Sequence, residues 1–114
     1  MITTNMDASF TTFITDDDRL NFAELSGDYN PMHVDYDYAK NSEYKKCILH
    51  GAFSAGLVSR MAGMFIPGKE CLLHNINLKF LKPIYTPIEV EVSASVNRDD
   101  GLNGETAIEI RDVN

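Results

Sequence analysis

The spacing of apolar residues changes along the chain, from helix-like and mixed at the start to strict alternation at the end. Residues 9–14, Ser-Phe-Thr-Thr-Phe-Ile, are rich in β-branched and aromatic side chains and predict a first strand, preceded by a polar stretch, residues 1–7, expected to fray. Thr15 followed by Asp16, Asp17 and Asp18 predicts a helix start. Threonine can cap, Asp18 stands where a capping-box acid belongs, and acidic residues in the first turn suit the helix dipole. That helix is expected to turn Leu20, Phe22, Ala23 and Leu25 toward the core and to stop at Gly27, a residue suited to a left-handed cap. Residues 34–40 predict a short helical turn and residues 41–46 a surface excursion. From His50 to Phe65 the chain is apolar or small on almost every side, which predicts a helix buried all round, ending near Pro67 and Gly68.

From Cys71 onward the period is two. Ile76, Leu78 and Phe80 alternate with Asn75, Asn77 and Lys79, and after Pro83 and Pro87 the series Ile88, Val90, Val92, Ala94 and Val96 alternates with polar residues. A polar, glycine-bearing turn at residues 97–104 then leads to residues 105–113, with Ile108 and Ile110 on one face. These segments predict half-buried antiparallel strands. The order places the chain in the α+β class: one domain over residues 1–114, with a twisted antiparallel sheet curling around one buried helix. Such a sheet covers one side of an all-apolar helix. Cover for the other side implies a second copy of the chain, a homodimer.

Composition narrows the function. At 114 residues and a net charge of −7, with Lys and Arg scattered, the chain lacks the basic patch of a nucleic-acid binder. No apolar run is long enough to span a bilayer, and the N-terminus has no leader pattern, so no membrane association and a cytoplasmic location are expected. Cys47 and Cys71 are isolated and read as reduced, buried, small hydrophobes.

The candidate chemistry lies between Phe22 and Ala39, in the run Gly27-Asp28-Tyr29-Asn30-Pro31-Met32-His33. Pro31 removes a backbone donor and drives Asn30 from the helical region, so Asp28 and His33 sit on a tight loop rather than on diverging helix faces. An acid and a base can there share one water. Singly, an Asp after a helix is most often an Asx turn and a loop His is solvated; the combined frame favours function. His50 and His74 read as structural, since neither has a spaced second ligand, and no metal site is expected.

The stretch from Phe22 to Ala39 resembles the signature of the MaoC-like, (R)-specific enoyl-CoA hydratases of the hotdog fold, departing from it only at Met32. The similarity continues through His50-Gly51, the small-residue helix with Ser59, and Asn77-Leu78-Lys79-Phe80-Leu81-Lys82-Pro83. Members usually carry one further C-terminal strand, so the resemblance implies a hotdog sheet lacking its last strand. It implies reversible hydration of 2-enoyl thioesters to (R)-3-hydroxyacyl thioesters. Asp28 and His33 would be the catalytic dyad, Ser59 a third polar residue of the site, and Asn30 an orienting residue. The amide of Gly51, opening the buried helix, would receive the thioester oxygen. No metal or redox cofactor is implied; coenzyme A or acyl carrier protein enters with the substrate, with Lys45, Lys46, Lys79 and Lys82 as candidate cations for its phosphates. Two other readings stand beside it: a hotdog acyl thioesterase, and a non-catalytic domain that binds acyl thioesters or serves dimerisation.

Overall fold

Among the described residues the elements run β1 (Asp7–Ile14), α1 (Asp16–Ser26), α2 (Pro31–Val34), α3 (Tyr36–Lys40), α4 (Gly51–Met64), β2 (Ile88–Asp99) and β3 (Gly104–Asp112). The structure is a computed structural model that describes residues 6–99 and 104–114; most of the stretch expected to fray and the tip of the expected turn lie outside these. The three strands form one antiparallel sheet in the order β1-β2-β3. Its register puts Phe10 opposite Val92 and Ile14 opposite Ile88, and Val92 and Ala94 opposite Ile110 and Ile108. Because alternate side chains share a face, this register gathers the apolar members of all three strands on one side. Leu57 and Met61 of α4 pack on that side with Ile14, Leu49, Val90, Val92 and Ala94 to make the core.

The ends of α1 form as local chemistry dictates. Thr15 Oγ1 accepts from the amide of Asp18 at 3.0 Å, and Asp18 Oδ2 accepts from the amide of Thr15 at 2.8 Å, a complete capping box. At the other end Gly27 takes φ 78°, and its amide returns to the carbonyl of Ala23 at 2.8 Å. The face that α1 buries differs from expectation. Ala23 is buried as expected, but Leu25 is 85% exposed and Leu20 is also exposed, whereas Arg19 is 1% exposed. Arg19 lies one turn before Ala23 on the same face, and its guanidinium finds acceptors inside that a leucine would not need.

Two further expectations are corrected. Residues 71–83 form no strand despite their alternating pattern, and Leu72, Phe80 and Leu81 are exposed. A strand needs a neighbouring backbone, and among the described residues this segment meets none; only Ile48 and Tyr85 form an isolated bridge beside it. The helix α4 is likewise not buried all round. Ser54, Leu57, Val58, Met61 and Ala62 are buried, Leu57 and Met61 against the sheet, while Ala52, Gly56, Ser59, Arg60 and Met64 are exposed. Cys47 is buried, and burial pushes its thiol pKa up, in keeping with an unreactive small hydrophobe; Cys71 is only half-buried.

The burial contrast sets a test of the core. Met61→Ala is expected to cost about 3 kcal/mol in urea-induced unfolding, through lost apolar contact and a residual cavity. Leu25→Ala should change stability by less than about 0.5 kcal/mol; a larger loss at Leu25 than at Met61 would contradict this packing.

Candidate functional site

A ladder of short side-chain bonds shapes the loop that follows α1. Ser26 Oγ accepts from the amide of Asp28 at 3.2 Å, Asp28 Oδ1 from that of Asn30 at 3.2 Å, and Asn30 Oδ1 from that of Met32 at 3.0 Å. Each rung spans two residues, the Asx and Ser turn geometry open to these short polar side chains. Asn30 thereby caps α2, with Pro31 in its first turn, and α2 carries His33 in its last. The expected Asx turn at Asp28 is thus present, and it leaves the second carboxylate oxygen free of that bond.

The loop is fixed to the segment before α4 by three hydrogen bonds. The Ile48 amide donates to the Met32 carbonyl at 3.0 Å, the His33 ring bonds the Ile48 carbonyl through Nδ1 at 2.8 Å, and the His50 ring bonds the Asp28 carbonyl through Nε2 at 2.9 Å. A carbonyl only accepts, so the proton of neutral His33 lies on Nδ1 and its Nε2 is left with a free lone pair. Asp28, His33 and His50 each then bring one oxygen or nitrogen within 4.8 Å of the others. Asp28 is exposed, His33 half-buried and His50 2% exposed, so the cluster runs from solvent into the core.

Arg19 holds this arrangement from below. Its Nη1 donates to the His33 carbonyl, its Nη2 to the Tyr36 hydroxyl at 3.1 Å and its Nε to Thr86 Oγ1 at 2.9 Å. Asp16 lies 3.5 Å from the guanidinium and accepts from the Thr86 hydroxyl at 2.8 Å. One buried cation thus joins α1, α2, α3 and the turn into β2.

The His33 and His50 rings stack with centroids 3.9 Å apart and planes 25° apart. The free carboxylate oxygen and the bare Nε2 of His33 remain as acceptors for the protons of one water.

The other expected site residues are placed as follows. Gly51 begins α4 beside His50, where an α-helix leaves its first amides without internal acceptors. The ring of Phe80 stands over it: a Cβ at Gly51 would lie 3.0 Å from Phe80 Cζ. Ser59 is exposed, about 12 Å further along the helix by its rise per residue, so one chain does not bring it to the cluster. His74 is exposed. The sequence reading missed His50 and Arg19. The neighbouring Gly51 marked the place for His50, and its position one turn before Ala23 was the available signal for Arg19.

Comparison with known proteins is consistent from sequence to structure. The family described as MaoC like domain matches residues 1–113. An (R)-specific enoyl-CoA hydratase of Rhodospirillum rubrum is 42% identical over 77 residues, covering 68% of this chain and 54% of that protein. The (R)-specific enoyl-CoA hydratase of Aeromonas caviae is 36% identical over 81 residues, covering 69% and 60%. The solved structure of the (R)-hydratase from A. caviae superposes with a TM-score of 0.90 over 97% of this chain and 86% of that one, at 26% identity. The chain spans little more than half the length of the two hydratases matched in sequence.

Burial of His50 has a consequence for stability. Desolvation holds its pKa below the ordinary 6.5, and the neighbouring His33 lowers it further, while its bond to the Asp28 carbonyl acts the other way. Below about pH 6.5 the unfolded chain takes a proton that folded His50 resists, so stability is full above that pH and falls as the solution is acidified toward the folded pKa. The urea midpoint should therefore drop between pH 7.5 and 5, and the drop should shrink in His50→Gln. An equal drop in both proteins would contradict a buried neutral His50.

Proposed function

We propose, from the premise that this chain belongs to the MaoC like domain family and has the hotdog fold, that it adds water reversibly across the double bond of 2-enoyl thioesters. The products are (R)-3-hydroxyacyl thioesters. The observation that carries the reading is the convergence of the Asp28 carboxylate and the His33 ring within 4.8 Å. His33 stands in the tautomer that leaves a basic nitrogen, beside the open end of α4.

The chemistry follows from these groups. A water held between Asp28 and His33 Nε2 gives up a proton as its oxygen bonds C3. The electron pair of the double bond moves toward the thioester carbonyl; the proton, taken from the water by His33 Nε2, is delivered to C2 as that pair returns, so one water supplies both the hydroxyl and the new hydrogen. Negative charge on the thioester oxygen is met by the amide of Gly51 and the positive end of α4. The Phe80 ring, on the irregular segment, fills the space that a side chain at position 51 would need. Asn30 orients the pair through the turn it shares with Asp28 and the cap it gives α2. Because Ser59 and one side of α4 are exposed, a second copy of the chain is proposed to cover that side and complete the pocket.

The relatives named as (R)-specific enoyl-CoA hydratases support the reaction, as does a 3-hydroxybutyryl-CoA dehydratase of Methylorubrum extorquens, 34% identical over 83 residues. The handle is coenzyme A or acyl carrier protein, and its phosphates call for cations. Lys40, Lys45 and Lys46 border a cavity of about 290 Å³ with Arg19, Tyr36 and Thr86, and they are the cations we assign to it; Lys79 and Lys82 stand exposed elsewhere. No metal or redox cofactor enters this scheme, and the cytoplasm is the compartment proposed; no described helix is long and apolar enough to cross a membrane.

Loss of enone absorbance with a series of trans-2-enoyl-CoA substrates tests the reaction. Asp28→Asn and His33→Ala are each expected to lower kcat at least 100-fold, the scale of a general acid–base group, with unchanged circular dichroism. Full activity in both would overturn the dyad. Release of free thiol without loss of the enone would favour a thioesterase, and tight binding without turnover a non-catalytic domain. Sedimentation of the purified chain should give twice the 12.8 kDa of one copy; a monomer with full activity would remove the second copy from the site.

A further inference from the structure

The least explained group in the site is His50. It precedes α4 as its N-cap residue, yet its side chain makes no cap bond. The ring turns instead to the Asp28 carbonyl, 2.9 Å from Nε2. Since that oxygen only accepts, Nε2 carries the proton and Nδ1 is a bare acceptor. Nδ1 is also the one buried side-chain polar atom without a partner among the described residues. An unpaired buried acceptor is costly, and a leucine here would carry none. The ring is therefore kept for what its other atoms do.

Those atoms touch both members of the proposed dyad. One edge fixes the backbone of Asp28, and one face lies against His33 at 3.9 Å. Phe22 packs against the same ring, with centroids 4.9 Å apart and planes inclined by 56°. The bonds are reciprocal: His33, on the loop, donates to Ile48 before α4, while His50, before α4, donates to Asp28 on the loop. Each imidazole is pinned at one nitrogen by the other's segment. The charged or titratable groups acting on His50 are His33 on α2, Asp28 on the loop and Arg19 on α1. Burial and the neighbouring His33 both disfavour a charge on His50, which keeps this ring neutral.

We infer that His50 is a positioning residue, a buried neutral imidazole that fixes the Asp28 backbone through Nε2–H and the plane of the His33 ring by stacking. This rests on the hydration reading only for its kinetic consequence. The geometry of Asp28 and His33 is set by His50 whichever acyl thioester is bound.

The test compares wild type with His50→Leu and His50→Gln. Glutamine can present an N–H near the position of Nε2, and leucine cannot. His50→Leu is expected to lower kcat by about 10- to 100-fold with KM within about twofold, the pattern of a misplaced reacting group. His50→Gln should recover most of the loss. An unchanged kcat in His50→Leu, a loss confined to KM, or no recovery with glutamine would overturn the inference. A substrate-free reading comes from histidine ring ¹⁵N resonances of the wild-type chain. They should show His50 neutral as the Nε2–H tautomer, with the His33 signals displaced in His50→Leu. A Nδ1–H tautomer at His50 would forbid the bond to Asp28 and end the proposal. Absence of wild-type turnover would instead overturn the hydration reading, and the resonances would then decide the role of His50.

Discussion

Three hydrogen bonds between the Asp28–His33 loop and the Ile48–His50 segment are the constraint on which the site depends. Without them the loop would be held by its own Asx and Ser turns, which fix local direction but not the distance to α4. With them, the carboxylate, two imidazoles and the first amides of α4 share one small region. The two ring bonds also select tautomers. A carbonyl partner for His33 Nδ1 leaves Nε2 basic, which a solvated histidine would offer only part of the time.

The rest of the fold serves to present these two segments to each other. The capping box and Gly27 fix both ends of α1, so the loop begins at a defined point. Arg19 takes the His33 carbonyl from below and links it to Tyr36 and Thr86, at 17 and 67 residues' separation along the chain. Removing that buried guanidinium would take the donor from the half-buried His33 carbonyl and Thr86 hydroxyl, which makes Arg19 harder to replace than a charge on the surface. Packing of Leu57 and Met61 on the sheet anchors α4, and with it the position of Gly51.

What could be read from the sequence was local, or carried by a long motif. Thr15, Asp18 and Gly27 announced their roles because a cap is decided within four residues. The alternation from Ile88 to Val96 predicted a strand because its neighbours are present, β1 on one side and β3 on the other. The equally regular alternation from Asn75 to Phe80 forms no strand, since periodicity states which face is apolar but not what pairs with the backbone. Leu20 and Leu25 were assigned to the core and found exposed. Apolarity alone does not choose the buried face of a helix when a distant set of acceptors can draw in an arginine. The pairing of Asp28 with His33 was visible in their five-residue frame, while His50, 22 residues from Asp28, required the fold.

The whole account turns on where the oxygen of water goes. Incubating the purified chain with a trans-2-enoyl-CoA in H₂¹⁸O, followed by mass spectrometry and chiral separation of the product, reads this directly. The account predicts an (R)-3-hydroxyacyl-CoA carrying ¹⁸O at C3 with the thioester intact. Label in a free carboxylate with release of coenzyme A, or none in any product, would contradict it.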